Sequence, residues 1–143
     1  MVVVARRTLS FDLGTKQNLL GLRTTRRPWQ VAWFLNEHFS TQFMRIPDWV
    51  SAGAAEAVPF TCYSWTSDQK LPLAYLLRNT SPLGSVSPAL RDACDYLLFY
   101  SDEAPLPEAG MLSTILRQHQ YFEFAMALAA DDKRWSRHIP IFF

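Results

Sequence analysis

Glycine, cysteine and histidine are scarce in this chain, and no stretch of it is continuously apolar over a long distance. The five glycines, Gly14, Gly21, Gly53, Gly84 and Gly110, are too dispersed to form a phosphate-cradling loop or a dinucleotide fingerprint, so a bound nucleotide is not expected. The two cysteines, Cys62 and Cys94, stand far apart and form no C-x-x-C pair. Neither a disulfide framework nor a zinc site is implied, and both are expected as buried, reduced thiols. Three histidines, His38, His119 and His138, lie scattered, without H-E-x-x-H spacing and away from any cysteine or carboxylate group of zinc type. No G-x-S-x-G elbow exposes a serine. No catalytic residue, metal or cofactor is therefore expected. Nothing approaches the ~18 apolar residues of a membrane helix. The opening Met1-Val2-Val3-Val4-Ala5-Arg6-Arg7 puts apolar residues before basic ones, the reverse of a secretory signal. A cytoplasmic setting without membrane association is the expectation.

Charge is also sparse. Charged residues make up 19% of the chain and the net charge is +1, which argues against a broad polyanion-binding surface. The distribution is less even. Through Arg27 there are six basic residues, Arg6, Arg7, Lys16, Arg23, Arg26 and Arg27, against one acid, Asp12, so this stretch carries +5 and the remainder −4.

What the chain does have is apolar and aromatic mass, 49% and 14% of its residues, the opposite of a disordered composition. Its 143 residues suit one domain that buries about two-thirds of the surface an unfolded chain exposes. Residues 1–143 are read as a single α+β domain. Leu9, Phe11 and Leu13 alternate with polar residues as in a half-buried strand, and Leu20 and Leu22 resume that alternation up to Thr24, so the two runs are expected to pair as a hairpin. Pro28 opens a helix that runs to Phe39. Its apolar face holds Val31, Ala32, Leu35 and Phe39, extended on one side by Trp29 and Trp33, with Gln30 and Glu37 opposite. Thr41 to Ile46 has strand composition and is expected to stop at Pro47, with a loop over residues 51–57. Phe60 to Thr66 and Leu73 to Arg78 form a second hairpin across the polar Ser67-Asp68-Gln69-Lys70. A loop from Asn79 to Ser87 and one helical turn within Pro88 to Ala93 lead to Tyr96-Leu97-Leu98-Phe99-Tyr100, a strand with two apolar faces and so an interior one. Glu108 to Gln118 has helical spacing, and residues 122–128 alternate large and small as a strand does, while the alanines would also suit a helix continuing toward Ala130; strand is the expectation taken. The apolar tail Ile139 to Phe143 is expected to pack against the body. Together these predict two layers, a largely antiparallel sheet of five to seven strands with two principal helices.

Few residues offer chemistry. Asn36 falls inside the apolar arc of the first helix, where an unpaired amide would cost roughly 1–3 kcal/mol, and is expected to clamp the helix to a neighbouring loop. Arg23, Arg26 and Arg27 beside Trp29 combine phosphate-binding charge with a stacking ring and form the candidate basic patch for nucleic acid. The competing expectation places the arginines on a solvated loop and Trp29 against the sheet edge. The carboxylates Asp92, Asp95, Asp102, Glu103 and Glu108 match no EF-hand spacing and read as solvated turn and helix-start charges. Asn79-Thr80-Ser81 has the form of a glycosylation acceptor and reads as a chance match in a turn.

The segments Leu9-Ser10-Phe11-Asp12-Leu13, Leu20-Gly21-Leu22, Trp29 to Asn36 and Asp95-Tyr96-Leu97-Leu98-Phe99 together resemble the IPExxVDY family of small bacterial proteins. Of the name motif, Cys94-Asp95-Tyr96 stands for Val-Asp-Tyr, while Ala89-Leu90-Arg91 replaces Ile-Pro-Glu and Pro88 lies out of register. The family has no established activity, so the resemblance implies an intracellular bacterial α+β domain and transfers no catalytic residue. The leading expectation is a non-catalytic cytoplasmic interaction or adaptor domain, with a protein partner or a homodimer, supported by Trp29, Trp33, Trp49, Trp65 and Trp135. The alternatives are a weakly nucleic-acid-associated protein using the basic corner, and a small enzyme assembled from distant residues such as His119, Asp95 and Cys94.

Overall fold

A computed structural model of the chain describes residues 17–50 and 58–135. The strand expected over Leu9 to Leu13, the loop 51–57 and the tail Ile139 to Phe143 lie outside the described residues.

Leu20 and Leu22 turn to one face and Leu19 to the other of β1 (Gln17–Arg23). Pro28 then occupies the first turn of α1 (Pro28–Phe39), where its missing N–H is no loss. The Gln30 side chain accepts a hydrogen bond from the Arg27 backbone N–H at 2.8 Å, and α1 ends on Ser40 in the left-handed region (φ 56°). The helix carries the chain to the far edge of the sheet, where β2 (Met44–Val50), β3 (Pro59–Thr66) and β4 (Pro72–Arg78) follow as a meander. A two-residue hairpin, β5 (Thr80–Ser81) with β6 (Gly84–Ser85), and a 3₁₀ turn at Pro88–Leu90 lead to β7 (Tyr96–Ser101). Next come α2 (Ala109–Arg117), whose first turn is capped by the Glu108 carboxylate accepting from Met111 N–H at 2.7 Å, and β8 (Phe124–Leu128).

Among the described residues the main sheet has six strands in the order β2-β3-β4-β7-β1-β8, and every pairing is antiparallel. With the two helices described, it is an α+β fold with a largely antiparallel sheet. Period-two alternation divides the core in two. Leu20, Leu22, Tyr63, Trp65, Ala74, Leu76, Tyr96, Leu98, Tyr100 and Ala125 face Val31, Phe34 and Leu35 of α1 and Leu112 and Leu116 of α2. Leu19, Phe60, Cys62, Leu77, Leu97 and Phe99 face the other way, toward Val86, Leu90, Cys94 and Trp135. Because β7 lies between β4 and β1 and is covered on both faces, all six of its residues are buried.

Two expectations need correction. The strand after α1 does not stop at Pro47 but runs through it to Val50. β2 is an edge strand, and between the pairs Ile46–Cys62 and Trp49–Phe60 it carries two residues, Pro47 and Asp48, against one on β3. This bulge accepts a residue that cannot donate to the ladder. It also brings Ile46 and Trp49, three positions apart, to the same face of the sheet. Second, Trp29 and Trp33 do not extend the buried arc of α1. They are 59% and 52% exposed, and Phe34 takes the buried place instead.

Candidate functional site

Among the described residues, the surface feature with the most exposed aromatic area is the outer side of α1. Trp29 and Trp33 are one helical turn apart, so both indoles project from the same side, and Glu37 continues that row. The other exposed large apolar residues are Met44 and Val50 on β2, Leu71 and Leu83 in connections, Met111 on α2 and Phe124 on β8.

The start of α1 is held at several points. Thr24 N–H donates to Asp95 Oδ2 at 2.9 Å, and the Thr24 hydroxyl donates to the Tyr121 carbonyl at 2.8 Å and accepts from Arg26 N–H at 3.1 Å. Tyr96 donates its hydroxyl to the Arg26 carbonyl at 2.6 Å, and Tyr121 donates to the Gln30 carbonyl at 3.0 Å. The other end is tied by Asn36. Its Oδ1 accepts from the Thr41 hydroxyl (2.7 Å) and Phe43 N–H (2.8 Å), while Nδ2 donates to the Phe43 carbonyl (3.2 Å). The amide is half-buried and joins the helix to the strand that follows. Trp29 and Trp33 thus stand on a helix anchored at both ends.

The three arginines are exposed but not equally free. Arg23 lies 3.5 Å from the Glu123 carboxylate and donates to the Asp92 carbonyl at 2.6 Å. Arg26 places its guanidinium 4.4 Å from the centre of the Tyr121 ring, leaving Arg27 nearest the indoles in sequence. Trp29 projects into solvent rather than lying on the sheet edge.

The residues named for an assembled enzyme do not converge. Cys94 belongs to the core on one face of the sheet, whereas His119 packs against Phe34 on the helical face. Asp95 is engaged with Thr24. Burial, with the Asp95 charge adding to it, pushes the Cys94 thiol up to about 11; burial and the Asp48 charge push Cys62 up to about 12. Thiols held protonated in this way are poor nucleophiles. A shallow cavity of about 270 Å³ opens between the α1–β2 connection and the β3–β4 turn, lined by Ser40, Gln42, Trp65, Thr66, Ser67, Asp68 and Leu73. Among the described residues, no three His, Cys, Asp or Glu side chains gather as a metal site, and no helix is long and apolar enough to cross a membrane.

Reasoning from the sequence missed Trp33 as a surface residue and placed Trp29 on the buried side. The signal was the i, i+4, i+8 row Trp29, Trp33, Glu37, whose charged member marks the solvent side. No family model, curated protein or solved structure matches the chain.

Proposed function

We propose that the protein is a non-catalytic cytoplasmic interaction domain that receives an apolar, acidic segment of a protein partner on the outer side of α1. The observation that carries this reading is the solvent exposure of Trp29 and Trp33 on one side of an anchored helix. Rigid indoles supply large contact area with little ordering cost and are typical interface anchors. Arg26 and Arg27 precede them, and the first turn of α1 has no acid, so the charge complement is negative. Kinship with the IPExxVDY proteins is part of the proposal and rests on the sequence segments quoted above.

The test compares wild type with a Trp29→Ala/Trp33→Ala variant whose circular dichroism is unchanged, by native pull-down and by light scattering over a concentration series. A partner, or a second copy, that is retained by wild type and lost by the variant is expected. Identical capture by both proteins, together with a monomer at every concentration, sinks the reading. Nucleic acid binding that weakens steeply with salt and disappears on Arg26→Ala/Arg27→Ala would replace it with a polyanion-binding function.

A further inference from the structure

His38 and His119 are separated by 81 positions, yet their ring centroids lie 5.2 Å apart with the ring planes at 59°. His38 belongs to the last turn of α1, and His119 follows α2 directly, its N–H donating to the Leu116 carbonyl. Both pack on the buried ring of Phe34, at 4.1 Å and 5.2 Å between centroids, which positions the pair from beneath. His38 is exposed and His119 half-buried, and among the described residues neither imidazole makes a side-chain hydrogen bond. Solvent reaches two nitrogen-bearing rings that the fold has brought together.

From this juxtaposition we infer that His38 and His119 form a two-imidazole site for a borderline transition-metal cation, with Zn²⁺ as its representative. The distance suits the chemistry. With one nitrogen of each ring turned to a shared ion, a Zn–N bond of about 2.1 Å puts the metal roughly 3.2 Å from each ring centroid, a distance at which the observed 5.2 Å separation is compatible with a roughly tetrahedral angle. Imidazole pairs select zinc, copper or nickel over magnesium and calcium, which prefer oxygen. Location reinforces the choice, because His38 stands in the last turn of α1 and His119 just past the C-cap of α2, each near the negative end of a helix dipole. Among the described residues no third His, Cys, Asp or Glu joins the pair, so water completes the coordination sphere. The bound metal exchanges readily and ties the end of α1 to the end of α2.

The test titrates Zn²⁺ into the full chain by calorimetry and follows the melting temperature, with Co²⁺ absorption reporting coordination geometry. Wild type is expected to bind one equivalent saturably, to melt higher with metal, and to give the intense visible bands of tetrahedral Co²⁺. His38→Gln should remove all three responses while the metal-free protein stays folded by circular dichroism. His119→Gln should remove them as well. Absence of saturable binding to wild type, or binding retained by His38→Gln/His119→Gln, overturns the inference.

Discussion

Asn18, Asn36 and Asn79 each use a side-chain amide to tie their own element to backbone elsewhere in the chain. Asn18 donates to the Tyr100 carbonyl (3.4 Å) and the Asp102 carboxylate (3.0 Å) and accepts from Ala109 N–H (3.1 Å), joining β1 to the start of α2. Asn79 is fully buried. It donates to the carbonyls of Leu90 (3.2 Å) and Cys94 (3.0 Å) and accepts from Ser87 N–H (3.1 Å), closing the segment between β4 and β7. Its amide is consumed by the fold, so the Asn79-Thr80-Ser81 match offers no glycosylation acceptor in the folded state. Asn79→Ala should cost about 3 kcal/mol, because buried carbonyls lose their donors. Asn36→Ala, at a half-buried site that water can reach, should cost about 1 kcal/mol. Urea denaturation of the two variants checks the order; equal losses would mean that burial does not set the difference. Asn36 was legible because a periodic apolar arc surrounds it. Asn79 was not, because its burial depends on residues 86–94 folding back over a stretch that reads locally as a turn.

At the scale of elements, β1 illustrates how a strand can be readable while its reason for one residue is not. Gly21 lies between Leu20 and Leu22, and a Cβ added there would overlap the Cys94 sulfur and press on Leu128. The strand needs a glycine here because the segment leading into β7 crosses it closely, not because its backbone is left-handed. Gly21→Ala should destabilise the protein by about 2 kcal/mol through overpacking. Adding Cys94→Ala removes the overlapping sulfur, so the double variant should be more stable than the sum of the two single changes predicts. Chemical denaturation of the four proteins in that cycle decides the matter, strict additivity being the result that refutes it. The same limit applies to α1 and β2. Helical periodicity and Pro28 located α1, but the wheel alone could not say which side of a wide apolar arc the sheet would take, and it took Phe34 and left Trp29 and Trp33. Composition located β2, but Pro47 read as a stop because its tolerance rests on the strand being an edge with a bulge.

For the whole molecule, two packed cores on opposite faces of one sheet hold four ionisable groups in their neutral forms. Burial raises the thiols of Cys94 and Cys62 to about 11 and about 12 and the phenol of Tyr96 to about 12, and pushes the Tyr100 phenol up further. In the unfolded chain these groups release their protons nearer 9 to 10, so above that range the unfolded state binds fewer protons than the native one. Their stabilising contribution is complete below about pH 9 and declines as pH rises toward the folded values, each group costing up to about 1.4 kcal/mol per pH unit. Urea midpoints should therefore hold steady from pH 7 to 8.5 and fall between pH 9 and 11, less steeply in Cys62→Ala; a flat profile to pH 11 would contradict the buried, protonated state.

The sequence by itself determined the α+β class, the antiparallel character of the sheet, both helices, the β3–β4 hairpin and the interior position of β7, because each follows from local periodicity, turn chemistry or an apolar run. Tertiary structure alone decided the strand order, the exposed side of α1, the need for glycine at position 21 and the meeting of His38 with His119. Those depend on which elements become neighbours, and contacts between residues tens of positions apart leave no periodic trace in the chain.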